Sequence, residues 1–77
     1  MQHKELALLF EAGNLTAVSI VRYPMGNQWT LQFKRKGGSP VVMSSQRSEV
    51  RLFKTLDSAF SAAKQLGFLT ATITESL

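Results

Sequence analysis

The chain has no cysteine, a single histidine, two prolines and only five acidic residues among its 77. Without cysteine there can be no disulfide, no zinc–thiolate site and no thiol nucleophile. That composition suits a reducing compartment, and the cytoplasm is the expected location. No apolar run approaches the roughly 18 residues that span a bilayer, so no membrane role is expected. The opening MQHKELALLFEAG lacks the basic start and long apolar core of a secretory signal and reads as an amphipathic helix. His3 stands alone near a terminus, and Glu5, Glu11, Glu49, Asp57 and Glu75 fall in different segments. No two acids are spaced for shared acid–base work, and no set of N, O or S ligands converges on a metal. Gly37-Gly38 joins two expected strands, with no helix start to hold a phosphate. The expectation is therefore a protein that is not an enzyme, with no metal and no cofactor.

What the chain does have is an apolar fraction of 44% and a formal charge of +4. The first suits one folded domain over residues 1–77, small enough that a homodimer or bound partner is expected to add stability. The second is unevenly placed. Residues 1–33 balance Lys4 and Arg22 against Glu5 and Glu11. Residues 34–54 set Lys34, Arg35, Lys36, Arg47, Arg51 and Lys54 against Glu49 alone, a net of +5. Such a local field draws polyanions, nucleic acid first among them, although small domains also carry charge for solubility alone.

The hydrophobic pattern predicts an α+β fold: an N-terminal helix, a four-stranded antiparallel meander, a second helix packed on one sheet face, and a final strand. Leu6, Leu9 and Phe10 fall at helical spacing, and Gly13 suits the helix end. AVSIVRY (17–23) and QWTLQFK (28–34) read as strands joined by the turn PMGN. A four-residue loop sets Tyr23 opposite Gln28. It then places Ile20 opposite Leu31, Val18 opposite Phe33, and Arg22 within cation–π reach of Trp29. PVVM (40–43) is expected as a third strand after a Gly37-Gly38 turn, with the faces of Val41 and Met43 left open. EVRLF (49–53) is expected as a fourth, with Val50 and Leu52 inward and Arg51 and Phe53 outward. Thr55 is a natural N-cap for a helix whose stripe is Leu56, Ala59, Phe60 and Ala63, closed by Gly67 and Phe68. FLTATIT (68–74) alternates as a last strand.

On this frame Lys34, Arg35 and Lys36 stand at a hairpin tip, with Arg47 and Arg51 one strand further on. They are the expected contacts to phosphates. Gln28, Thr30 and Gln32 line the polar face of the same strand and have the chemistry to read base edges, although any solvated strand looks alike. Leu8, Tyr23 and Phe53 are apolar residues expected on the outside, where they would serve a homodimer or protein-partner contact.

Residues 46–73 carry most of a family resemblance. QRSEVRLFKTLDSAFSAAKQLGF and the alternating strand after it are similar to small accessory proteins of plasmids and conjugative elements, some of them partition-associated. The matching positions are Trp29, Gln46, Arg47, Arg51, Phe53, Leu56, Asp57, Ala59, Leu66 and Gly67. The resemblance implies a bacterial mobile-element setting and a role in DNA maintenance. FKTLDSAFSAAKQ also resembles the strand-to-helix joint in arm-type DNA-binding modules of tyrosine integrases, which lack the first helix and last strand expected here. Two functions follow as expectations: a nucleic-acid-binding accessory protein, with DNA as its partner, or a protein-binding adaptor or inhibitor acting through the apolar first helix and the outward aromatics.

Overall fold

Alternating apolar residues need a surface to face, and in a computed structural model of the chain, which describes residues 1–24, 26–45 and 49–74, two helices supply it. The elements run α1 (His3–Glu11), β1 (Leu15–Arg22), β2 (Trp29–Arg35), β3 (Val41–Val42), α2 (Leu56–Leu66) and β4 (Thr72–Thr74). They form one four-stranded sheet in the order β3-β2-β1-β4. Leu6 of α1 and Ala59, Ala63 and Leu66 of α2 join Val18, Ile20, Leu31 and Phe33 in a single core. Both helices therefore cover the same sheet face, and among the described residues the other face has no helix over it.

The β1–β2 hairpin follows the expected register. Ile20 pairs with Leu31, Val18 with Phe33 and Arg22 with Trp29, and the Tyr23 amide donates to the Gln28 carbonyl at 2.8 Å. The Arg22 guanidinium lies 4.6 Å from the Trp29 ring centre. At the other end the register slips between Leu15 and Ala17, so that Leu15 faces Arg35 while Ala17 faces Lys34. This bulge changes the parity of the strand and turns Leu15 into the core, where it is buried. Thr16, the extra residue, donates from its hydroxyl to the Lys34 carbonyl at 3.3 Å.

The meander stops after three strands, which corrects the expected four-stranded antiparallel arrangement. β3 pairs antiparallel with β2, setting Val41 against Phe33 and Val42 against Gln32. Val41 and the fully buried Met43 thus take the core side, and Val42 takes the uncovered side. Residues 49–53 form no regular strand; they make isolated bridges, Val50 to Ser44 and Phe53 to Trp29. The Arg51 amide donates to the Met43 carbonyl at 3.0 Å, and two residues later Phe53 exchanges both 2.8 Å backbone bonds with Trp29. The segment leaves one partner for another and sustains a ladder with neither. Its parity is also the reverse of the expectation. Pairing with Trp29 puts the Phe53 ring on the core face, 5% exposed, while Val50 and Leu52 are 47% and 36% exposed.

β4 pairs parallel with β1, Ile73 beside Ile20, so the sheet is mixed. The intervening α2 carries the chain back across the sheet, as a parallel connection requires. The Thr55 hydroxyl accepts from the Ser58 amide at 3.0 Å and starts α2. At its end Gly67 has φ +121°, and Phe68 folds back so that its amide reaches the Ala63 carbonyl at 3.2 Å. Phe68 then meets Phe10 edge-on, with ring centres 4.9 Å apart, and joins α2 to α1. The Phe10 ring sits directly on Gly67, where any Cβ would overlap it.

Candidate nucleic-acid interface

The three cations of the hairpin tip stay together but occupy different positions on it. Lys34 belongs to the uncovered face, opposite Ala17 and two residues from Gln32. Arg35 shares the parity of Leu15 and the core, yet it lies at the strand end and is only half-buried, with its guanidinium against Gly38. The stem follows the strand while the charge reaches solvent. Lys36 is exposed on the turn, and its amide donates to the Asn14 carbonyl at 2.8 Å, tying the tip to the start of β1. Gly37, at φ +71°, supplies the left-handed residue the turn needs.

The remaining basic residues are not neighbours of this tip. Arg51 is held at the level of Met43 and Leu31 through successive backbone bonds. Five residues of strand separate that level from Lys36, about 17 Å at 3.4 Å per residue. Its guanidinium lies 5.1 Å from the Phe53 ring centre. It shares a hollow with Gln2, His3, Lys4, Ser44 and Ser45 at the start of α1. Lys4 and Arg51 are far apart in the sequence and brought together by the fold, so counting charge along the chain could not pair them. Arg47, expected beside Arg51, lies outside the described residues, as does Gln46.

The polar strand positions also separate. Gln32 is half-buried beside Ser19 and Lys34 in a shallow depression of the uncovered face. Gln28 is half-buried at the far end, next to the turn. Thr30 is buried, and its hydroxyl donates to the Val21 carbonyl at 3.1 Å. That bond and its burial take Thr30 out of any base-reading role, although its alternation with Gln28 and Gln32 made it look equivalent. A hollow of about 200 Å³ lies over it, lined among others by Val21, Tyr23, Val42 and Val50.

Of the residues expected to face a partner, Leu8 is 62% exposed on α1 and Tyr23 is half-buried at the rim of this hollow. Phe53 is in the core and leaves the set, for the pairing reason given above. Trp29, Phe33 and Phe68 are also buried, so Tyr23 is the one aromatic side chain among the described residues that borders the uncovered face. Sequence reasoning passed over Leu69 and Ile73, which are 87% and 54% exposed; alternation set them on one face of the last strand without saying how much of that face is covered.

Among the described residues no group of three His, Asp or Glu side chains could hold a metal, and no helix is long and apolar enough to cross a membrane. Comparison with protein-family models, with curated proteins and with solved structures found no match to the chain.

Proposed function

We propose that the protein is a small, non-enzymatic nucleic-acid-binding accessory protein, acting in the cytoplasm of a bacterium on behalf of a mobile element. The observation that carries this reading is the hairpin tip. Lys34 and Lys36 are exposed there and Arg35 is half-buried against Gly38, beside a sheet face that no described helix covers and that presents Ser19, Gln32 and Lys34. Cations gathered at one tip suit the phosphates of a nucleic-acid backbone. Because the rings of Trp29, Phe33 and Phe53 are turned into the core, base stacking has little to work with, and a duplex backbone is favoured over an unstacked strand. DNA and the mobile-element setting rest on the resemblance in residues 46–73.

Fluorescence anisotropy with matched duplex and single-stranded DNA probes, at two salt concentrations, tests the reading. Lys34→Glu/Arg35→Glu/Lys36→Glu should weaken duplex binding and flatten its salt dependence by about 0.9 in log–log slope for each phosphate that is no longer neutralised. A triple variant that binds with unchanged affinity and slope overturns the assignment.

A second reading has its own observation, the 62% exposure of Leu8 on a helix whose Leu6, Leu9 and Phe10 pack on the core. A protein-binding adaptor would use Leu8 with Tyr23, and Leu8→Glu would abolish its association while leaving the tip dispensable.

A further inference from the structure

The hollow at the start of α1, about 340 Å³ in volume, is lined among the described residues by Gln2, His3, Lys4, Ser44, Ser45 and Arg51. Every one of these side chains is polar, and none is a carboxylate. The two cations are held by different parts of the fold. Lys4 lies in the first turn of α1, which Leu6 anchors in the core with no exposure. The Arg51 amide donates to the Met43 carbonyl at 3.0 Å, and its guanidinium rests 5.1 Å from the Phe53 ring centre. The serines are fixed as well: Ser44 is bridged to Val50, and the Ser45 amide donates to the Glu49 carbonyl at 2.7 Å. The acids nearest in sequence do not neutralise the cations. Glu5 has a carboxylate oxygen on the Gln2 amide at 3.0 Å, and among the described residues neither it nor Glu49 lines the hollow or pairs with Lys4 or Arg51. The Ser44 hydroxyl accepts from the Met1 nitrogen at 2.6 Å, which leaves its own hydrogen for another acceptor. The Met1 nitrogen and the fork at Val42 and Ser44 keep that oxygen in place.

We propose that this hollow binds a phosphate group, held by Lys4 and Arg51 with the Ser44 hydroxyl as a third donor. The choice of ligand follows from the lining. An ammonium and a guanidinium can only donate, so the hollow suits a group whose surface is all acceptors. A phosphate has such oxygens facing several ways at once, and the guanidinium fork matches two of them. Arg51 is already positioned by its backbone bond and by the Phe53 ring, so less side-chain freedom is lost on binding. Inorganic phosphate and the phosphodiester of a nucleic-acid backbone offer the same chemistry. Binding of the backbone rests on the function proposed above; binding of inorganic phosphate does not.

NMR titration of the isotope-labelled full chain with inorganic phosphate, against sodium chloride at matched ionic strength, tests the site. The backbone amides of Lys4, Ser44, Ser45 and Arg51 should shift and saturate in the millimolar range with phosphate and not with chloride. Lys4→Gln/Arg51→Gln should abolish these shifts, and Lys34→Glu/Arg35→Glu/Lys36→Glu should leave them in place. Lys4→Gln alone changes an exposed side chain, so its melting curve should match the wild type while phosphate binding weakens by about tenfold or more. In the duplex anisotropy measurement, the double variant should lower the log–log salt slope by about 0.9 when a backbone phosphate occupies the hollow. Phosphate shifts with an unchanged slope assign the site to the free ion, and a lowered slope without phosphate shifts assigns it to the backbone. Neither effect, or phosphate shifts that survive Lys4→Gln/Arg51→Gln, overturns the proposal. A wild type that binds phosphate in the hollow but no duplex supports this site and overturns only the function proposed above.

Discussion

The two faces of the sheet differ in what their residues are for. On the helix side, Phe33, Leu31, Leu6, Ala59 and Ala63 have no measurable exposure, and rings from α1, β2 and the end of α2 meet in the middle. On the uncovered side, burial stops at Val21 and Thr30, and Ser19, Gln32 and Lys34 remain reachable from solvent. Stability is concentrated on one face, which leaves the other free to carry polar and basic residues without threatening the fold. A 77-residue domain has room for one core and no more, so this division is a consequence of size as much as of function.

The sharpest test of the division is Phe33→Ala. Removing a fully buried ring costs about 3–5 kcal/mol, and a core of this size supplies about that much in total. Chemical denaturation should find the variant largely unfolded. Next is Gly67→Ala, which forces a side chain to φ +121° and into the Phe10 ring. A loss of about 2 kcal/mol or more is expected. Gly37→Ala is its control: φ is +71° there but the space is empty, so only about 1 kcal/mol of backbone strain should appear. Thr55→Ala removes the oxygen that accepts from the Ser58 amide and should lower the denaturation midpoint by the equivalent of about 1 kcal/mol. The smallest effect belongs to the charged tip. Lys34→Glu/Arg35→Glu/Lys36→Glu should move stability by no more than about 0.5 kcal/mol per site, whatever it does to ligand binding. A large stability loss in this variant would break the division, because it would mean the tip helps to hold the fold.

The hairpin was legible in the sequence because two independent signals agreed. The PMGN turn fixed the loop length, the alternation of Trp29, Leu31 and Phe33 fixed the face, and together they fixed the register through Arg22 and Trp29. The helix caps at Thr55 and Gly67 were legible for the same reason, being local chemistry. EVRLF was not, because a period of two does not say which set faces inward. Val50 with Leu52 and Arg51 with Phe53 are equally good alternations, and the Phe53–Trp29 pairing that decides between them spans 24 residues. Alternation is likewise silent on direction, so β4 could be read as a strand but not as the parallel neighbour of β1. The candidate site suffered from the same limit. Lys34, Arg35 and Lys36 stayed together because they are consecutive, whereas Arg51 went to the far end of β2 and acquired Lys4 as a neighbour.

The pairing of Met1 with Ser44 and Val42 has a consequence beyond the monomer. A sheet with two open edges can add neighbours at both and grow without limit. Here Met1 takes the Val42 carbonyl and the Ser44 amide on the β3 side, so these groups are not left for another strand, whereas β4 pairs with β1 and with no further described strand.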